Sequence, residues 1–122
     1  MMHQQVPILK IDDFWIASVQ GSLHDQDVIE FKEALLNKIM QPKSRGLIID
    51  LTVLDVVDSF VTKTLIDIRG LAGLMGVPVV IAGMSPAVAI TLVEMGLNLE
   101  GVDTALNLQK GLDKLRNAGK ER

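Results

Sequence analysis

The run Gly46-Leu47-Ile48-Ile49-Asp50-Leu51 decides the fold. A short, nearly uninterrupted apolar run between polar residues suits a strand covered on both faces. That is the pattern of parallel sheets, whereas a half-exposed strand would alternate. Downstream, Thr52 to Val57 reads as a loop, and Asp58 as the N-cap of a helix that runs to about Leu74. Spacing puts Phe60, Thr64, Leu65, Ile68, Ala72 and Met75 on its inner stripe and Gly76 just past its end. Val77 to Ala82 repeats the buried-strand pattern. Ser85 then caps and Pro86 opens another helix, lined by Val88, Ala89, Leu92, Val93 and Met95 and stopped by Gly96. Thr104 to Leu106 fits a last short strand, and Asn107 caps a helix with Leu108, Leu112 and Leu115 on one face.

Upstream, Val6 to Ile11 and Phe14 to Gln20 are β-like runs split by Asp12-Asp13, a pair suited to a tight turn. His24 or Asp25 caps a helix reaching about Met40, with Val28, Phe31, Leu35 and Ile39 at helical spacing, and Pro42 ends it. The order is β-β-α-β-α-β-α-β-α. Buried strands alternating with amphipathic helices predict an α/β domain with a mainly parallel sheet, right-handed crossovers and an N-terminal antiparallel hairpin at one edge.

The chain has 122 residues, the size of one domain. It is 48% hydrophobic but 3% aromatic, so aliphatic residues must build the core around Phe14, Trp15, Phe31 and Phe60. A net charge of -3 argues against a basic nucleic-acid-binding face. With no cysteine, disulfides, thiolate catalysis and cysteine-based zinc sites are excluded. The mean hydropathy of +0.34 is high for a small monomer and predicts apolar surface reserved for self-association or a partner. Residues 70–93 carry no charge, yet Gly73, Gly76, Pro78, Gly83, Ser85 and Pro86 cut them into pieces too short to cross a membrane. No signal peptide is visible at the start, so a cytoplasmic location is expected. The end, Asn117 to Arg122, reads as a loose tail.

Chemistry is sparse. His3 and His24 form no metal or catalytic set, and neither metal nor cofactor is expected. Gly70, Gly73 and Gly76 end a helix, whereas a phosphate-cradling loop precedes one. The methionines read as core filler. Asp12, Asp13 and Asp50 could make a receiver-like acidic site in which Asp50 accepts a phosphoryl group. Against this, Phe14 to Gln20 continues as a strand where a receiver would begin a helix, and no Lys-Pro follows the last strand. The stronger candidate is Asp55-Val-Val-Asp58-Ser59-Phe60. It leaves the end of a buried strand, where open α/β sheets place function. Asp58 caps the helix, so Ser59 falls at the first helical position with its side chain free. On spacing alone this is either a functional loop or a helix cap and nothing more. Thr62, Thr64, Ser85 and Ser18 are weaker hydroxyl candidates, because Thr64 lies on the apolar stripe, Ser85 caps and Ser18 alternates within a strand.

The run Gly46 to Thr52 followed by Val57-Asp58-Ser59 resembles the signature of STAS domains, the anti-sigma-factor antagonists. Val6 to Lys10, Leu35 to Ile39, Leu74 to Val80, Gly83 to Ala89, Thr91 to Gly96 and Thr104 to Leu108 are similar to stressosome scaffold proteins of the RsbS type, so the resemblance spans residues 1–122 as one STAS domain. It implies a non-enzymatic scaffold that co-assembles with longer RsbR-type paralogues. It also implies an RsbT-type serine/threonine-protein kinase, held by the assembly and released on phosphorylation, and an RsbX-type phosphatase that resets it. The family's phosphoacceptor falls on Ser59, with Asp55 and Asp58 as switch loop and helix cap. Simple antagonists carry small residues after this serine. Phe60-Val61-Thr62-Lys63 here favours the stressosome branch over a soluble antagonist that binds an anti-sigma kinase directly. The sensory domain of the longer paralogues is not in this sequence, so the expected role is kinase anchor. A nucleotide-binding STAS module is a further alternative, weakened by the missing phosphate loop.

Overall fold

The computed structural model describes residues 6–19, 25–54, 56–97 and 103–120, with the side chains of residues 25, 119 and 120 left aside. Its elements are β1 (Ile8–Ile11), β2 (Phe14–Ser18), α1 (Asp25–Ile39), β3 (Gly46–Asp50), α2 (Ser59–Leu74), β4 (Val79–Ala82), α3 (Pro86–Glu94), β5 (Asp103–Ala105) and α4 (Leu108–Lys120). This is the expected order. The strands lie side by side in chain order, β1 antiparallel to β2 and the others parallel. β3 is central: Ile48 sits between Ile16 and Val80, and Ile49 between Ala17 and Ile81.

Strand side chains alternate between faces, so the pleat divides the sheet into two cores. Trp15, Ala17, Leu47, Ile49 and Ile81 meet α1, α2 and α3 through Phe31, Leu35, Leu65, Ile68, Val88 and Leu92. Phe14, Ile16, Ile48, Val80 and Ala82 meet α4 through Leu112 and Leu115. α4 runs close to β3, where a Cβ added to Gly111 would lie 3.3 Å from the Ile48 side chain. Trp15 satisfies its indole N–H by donating to Ser44 Oγ at 2.8 Å, and that hydroxyl donates to the Lys38 carbonyl at 2.8 Å.

Local rules account for most boundaries. The tight turn falls at Asp12-Asp13, with Asp12 left-handed at φ 55°. β4 begins at Val79 because Pro78 has no N–H to donate, although its carbonyl still accepts from Leu47 N–H at 2.9 Å. Ser85 caps α3 by accepting from Val88 N–H at 3.2 Å, and Asn107 does the same for α4, accepting from Lys110 N–H at 2.9 Å. Residues 70–93 resolve into the end of α2, β4 and α3. Among the described residues no helix is long and apolar enough to cross a membrane.

Three expectations need correction. On α2, Phe60 is 48% and Met75 42% exposed, while Val61 and Thr62 are buried. At 100° per residue, Val61 lies about 20° from the Ile68 direction and Phe60 about 80° from it. Met75 is already the C-cap. The same geometry turns Val93 outward from the stripe of Val88 and Leu92, and Met95 is the C-cap of α3. Lastly, α4 continues past Asn117 to Lys120. The expected cap of α1 by His24 lies outside the described residues, as does His3.

Ile68 is fully buried between α2 and the sheet. Ile68→Ala is expected to lower unfolding free energy by about 2–5 kcal/mol, read as a shift of the urea midpoint at unchanged m-value. A loss below about 1 kcal/mol would mean that this stripe does not anchor α2.

Candidate functional site

The candidate site grows from the carboxyl end of β3. The Asp50 carboxylate accepts from Thr52 N–H at 3.0 Å and from the Thr52 hydroxyl, which folds the chain back as it leaves the strand. Leu54 N–H then closes a turn onto the Leu51 carbonyl at 3.0 Å. Leu51, Leu54 and Val57 plug into the larger core, so the loop is held by apolar pegs, while Val53 and Val56 between them face solvent. Asp55 lies outside the described residues.

Gly83, at φ 77° after β4, presses on this turn: a Cβ there would stand 2.2 Å from Thr52 Oγ1 and 3.1 Å from Thr52 Cα. Only glycine tolerates both that backbone conformation and that approach. The loops after β3 and β4 therefore meet at the carboxyl end of the sheet.

Asp58 ends the loop in extended conformation, and its carboxylate accepts from Val61 N–H at 2.8 Å. Its carbonyl accepts from Thr62 N–H at 3.1 Å and from the Thr62 hydroxyl at 3.0 Å. That hydroxyl also lies 3.3 Å from the sulfur of Met95, tying the start of α2 to the end of α3. Ser59 is the first helical residue and is exposed, as the spacing predicts. Phe60 beside it is half exposed and Val56 is 79% exposed. Ser59 thus emerges among apolar side chains at the positive end of a helix. Sequence reasoning missed this surround because it placed Phe60 in the core; the angular phase of Leu65, Ile68 and Ala72 is the signal that would have corrected it.

The other candidates separate. Asp12 and Asp13 sit in the turn before β2, whereas Asp50 pairs with Ser18 at the opposite end of that strand. At about 3.3 Å per residue they are about 15 Å apart. Asp12 is bound by Arg116 at 2.8 Å, and Asp13 by Arg45 at 3.9 Å. The receiver-like site is therefore not assembled, and among the described residues no group of three or more acids, histidines or cysteines could hold a metal. Thr64 is buried and donates to the Phe60 carbonyl at 2.8 Å.

The central strand, the pegged loop and the capped helix all lie within residues 5–111, which match the family profile of the STAS domain. The chain belongs to the STAS family. It superposes with a TM-score of 0.90 on a serine-to-glutamate variant of Moorella thermoacetica RsbS, 56% identical, covering 96% of this chain and 99% of that one. It superposes with a TM-score of 0.86 on a chain from the stressosome, described as a signal integration and transduction hub, at 59% identity over 93% of this chain and 99% of that one. Among curated proteins it is similar to the RsbT co-antagonist protein RsbRA of Bacillus subtilis, 29% identical over 113 residues, covering 92% of this chain. The chain spans about two fifths of the length of the curated co-antagonists it matches, 41% of RsbRA and 38% of RsbRD.

Removing the cap isolates its contribution. Asp58→Ala is expected to cost about 0.5–2 kcal/mol of stability, and Asp58→Asn much less, because asparagine keeps an acceptor for Val61 N–H. Equal thermal midpoints for Asp58→Ala and the unmodified chain would show that the cap does not stabilise α2.

Proposed function

We propose that this chain is a non-enzymatic scaffold of a stressosome. In this reading it co-assembles with RsbR-type STAS proteins in the cytoplasm and holds an RsbT-type serine/threonine-protein kinase until Ser59 is phosphorylated. The observation that carries the reading is the exposed Ser59 at the first position of α2, in a chain 56% identical to Moorella thermoacetica RsbS and 59% identical to a chain of the stressosome. The solved Moorella relative carries glutamate in place of a serine, an exchange that puts negative charge where a phosphate would bring more.

The kinase transfers the γ-phosphoryl group of ATP to Ser59 Oγ, and ADP and the hydroxyl proton leave. An RsbX-type phosphatase hydrolyses the ester and resets the scaffold. Within the domain the effect is modest. The helix N-terminus favours the new charge by roughly 0.3–1 kcal/mol, and Asp58 opposes it, so the fold persists. Across an interface the balance differs. A docked carboxylate about 5 Å away, at an effective dielectric of about 20, costs roughly 3 kcal/mol per unit charge. That is more than a hundredfold in affinity. The phosphate would also stand beside Val56 and Phe60, apolar groups whose contact with a partner requires the water around it to leave. Phosphorylation is in this way a local charge event read by a bound partner.

Kinase retention by reconstituted assemblies tests the reading. Ser59→Ala should hold the kinase, and a fully phosphorylated sample should bind it at least a hundredfold more weakly. Equal retention by both ends the charge mechanism, and phosphopeptide mapping to another residue ends the assignment of Ser59. Phe60→Ala should weaken kinase binding about five- to tenfold, as expected for losing the burial of half a phenyl ring, while leaving the thermal midpoint nearly unchanged. Unchanged affinity would remove Phe60 from the docking surface.

A further inference from the structure

The charge pattern around Ser59 is lopsided. From Asp50 to Asp67 the chain carries Asp50, Asp55, Asp58 and Asp67, and a single basic residue, Lys63. Lys63 lies four residues after Ser59 on α2, and both are exposed. Residues at that separation face each other along a helix, about 5–6 Å apart at Cβ, and the pairing is favourable when the anion is the N-terminal member. The other carboxylate at this spacing is Asp67, four residues further on. It is already engaged by Lys32 of α1 at 3.5 Å. Among the described residues no carboxylate oxygen lies within 4.0 Å of the Lys63 ammonium. Asp58 is committed to the cap, and the charged residue that α3 brings nearest is Glu94, next to Met95.

Resting on the assignment of Ser59 as phosphoacceptor, we infer that Lys63 is the positioning residue that holds the phosphoryl group on Ser59. Before modification its ammonium is, among the described residues of the β3–α2 loop and the first two turns of α2, the one cation, and it is available to an acidic partner. After modification it folds back along the helix to the phosphate. One event thus adds an anion and withdraws the cation, so the surface reverses sign. Lys63 also offsets the surrounding carboxylates, which strengthen the hold of the phosphate on its second proton. A serine phosphate has its second pKa at about 6. With Lys63 in place the dianion persists to lower pH.

The test uses the full chain with phosphoserine installed translationally at position 59, so it does not depend on which residue a kinase selects. In a low-salt 31P titration, Lys63→Gln should raise the second pKa of the phosphate by about 0.3, a twofold tighter hold on its proton. Lys63→Arg should titrate like the unmodified sequence, and 1 M salt should erase the glutamine effect, since the Debye length is then about 3 Å. In the sequence bearing Lys63, a scalar coupling between its ammonium nitrogen and the phosphorus reports the contact directly, independent of how any variant folds. Identical low-salt titrations of Lys63→Gln and the parent, or no such coupling, overturn the inference. Kinase mapping to a residue other than Ser59 would instead overturn the function proposed above and leave this contact standing.

Discussion

Ile48 and Ile49 are neighbours in the chain, and each is fully buried in a different core. This constraint organises the molecule. A strand that is apolar on both faces needs partners on both, so α1, α2 and α3 cover one side and α4 the other. The covering fixes where β3 ends, and its end fixes the loop. Leu51, Leu54 and Val57 continue the burial beyond the strand, so the chain reaches Asp58 with little freedom left. Ser59 owes its exposure to the firmness of what precedes it.

The same constraint uses up much of the apolar composition without using all of it. Phe60, Leu74, Ile90, Val93 and Met95 remain open to solvent on α2, α3 and their ends. These elements lie on the three-helix side of the sheet, the side from which Ser59 emerges. An apolar surface there is compatible with a domain that works within an assembly, and it places the modified residue beside groups suited to contact with another protein.

What the sequence disclosed depended on how local the governing physics is. Element order, both serine and asparagine caps, the Asp58 cap and the place of Ser59 follow from residue types within a few positions of one another, and all could be read directly. Helix phase was harder. One residue turns a side chain by 100°, so Phe60 and Val61 compete for the same stripe, and packing against Leu65 and Ile68 selects Val61. Contacts between distant segments were not legible. The seating of Gly83 on Thr52 joins two loops far apart in sequence. The separation of Asp13 from Asp50 follows only once strand direction and pairing are known. The acidic triplet looked plausible because sequence distance says nothing about which end of a sheet a residue occupies.

The identity of chain order and strand order bears on synthesis. Each strand leaving the ribosome after β2 can add to an edge already formed, with one helix laid down on the way, so no strand must be threaded between two others. The second core is different. Phe14, Ile16, Ile48 and Val80 are all made before Leu112 and Leu115, so that face stays bare until α4 emerges. During that interval a nascent chain offers a bare apolar sheet surface, a place for chaperones or premature association to act.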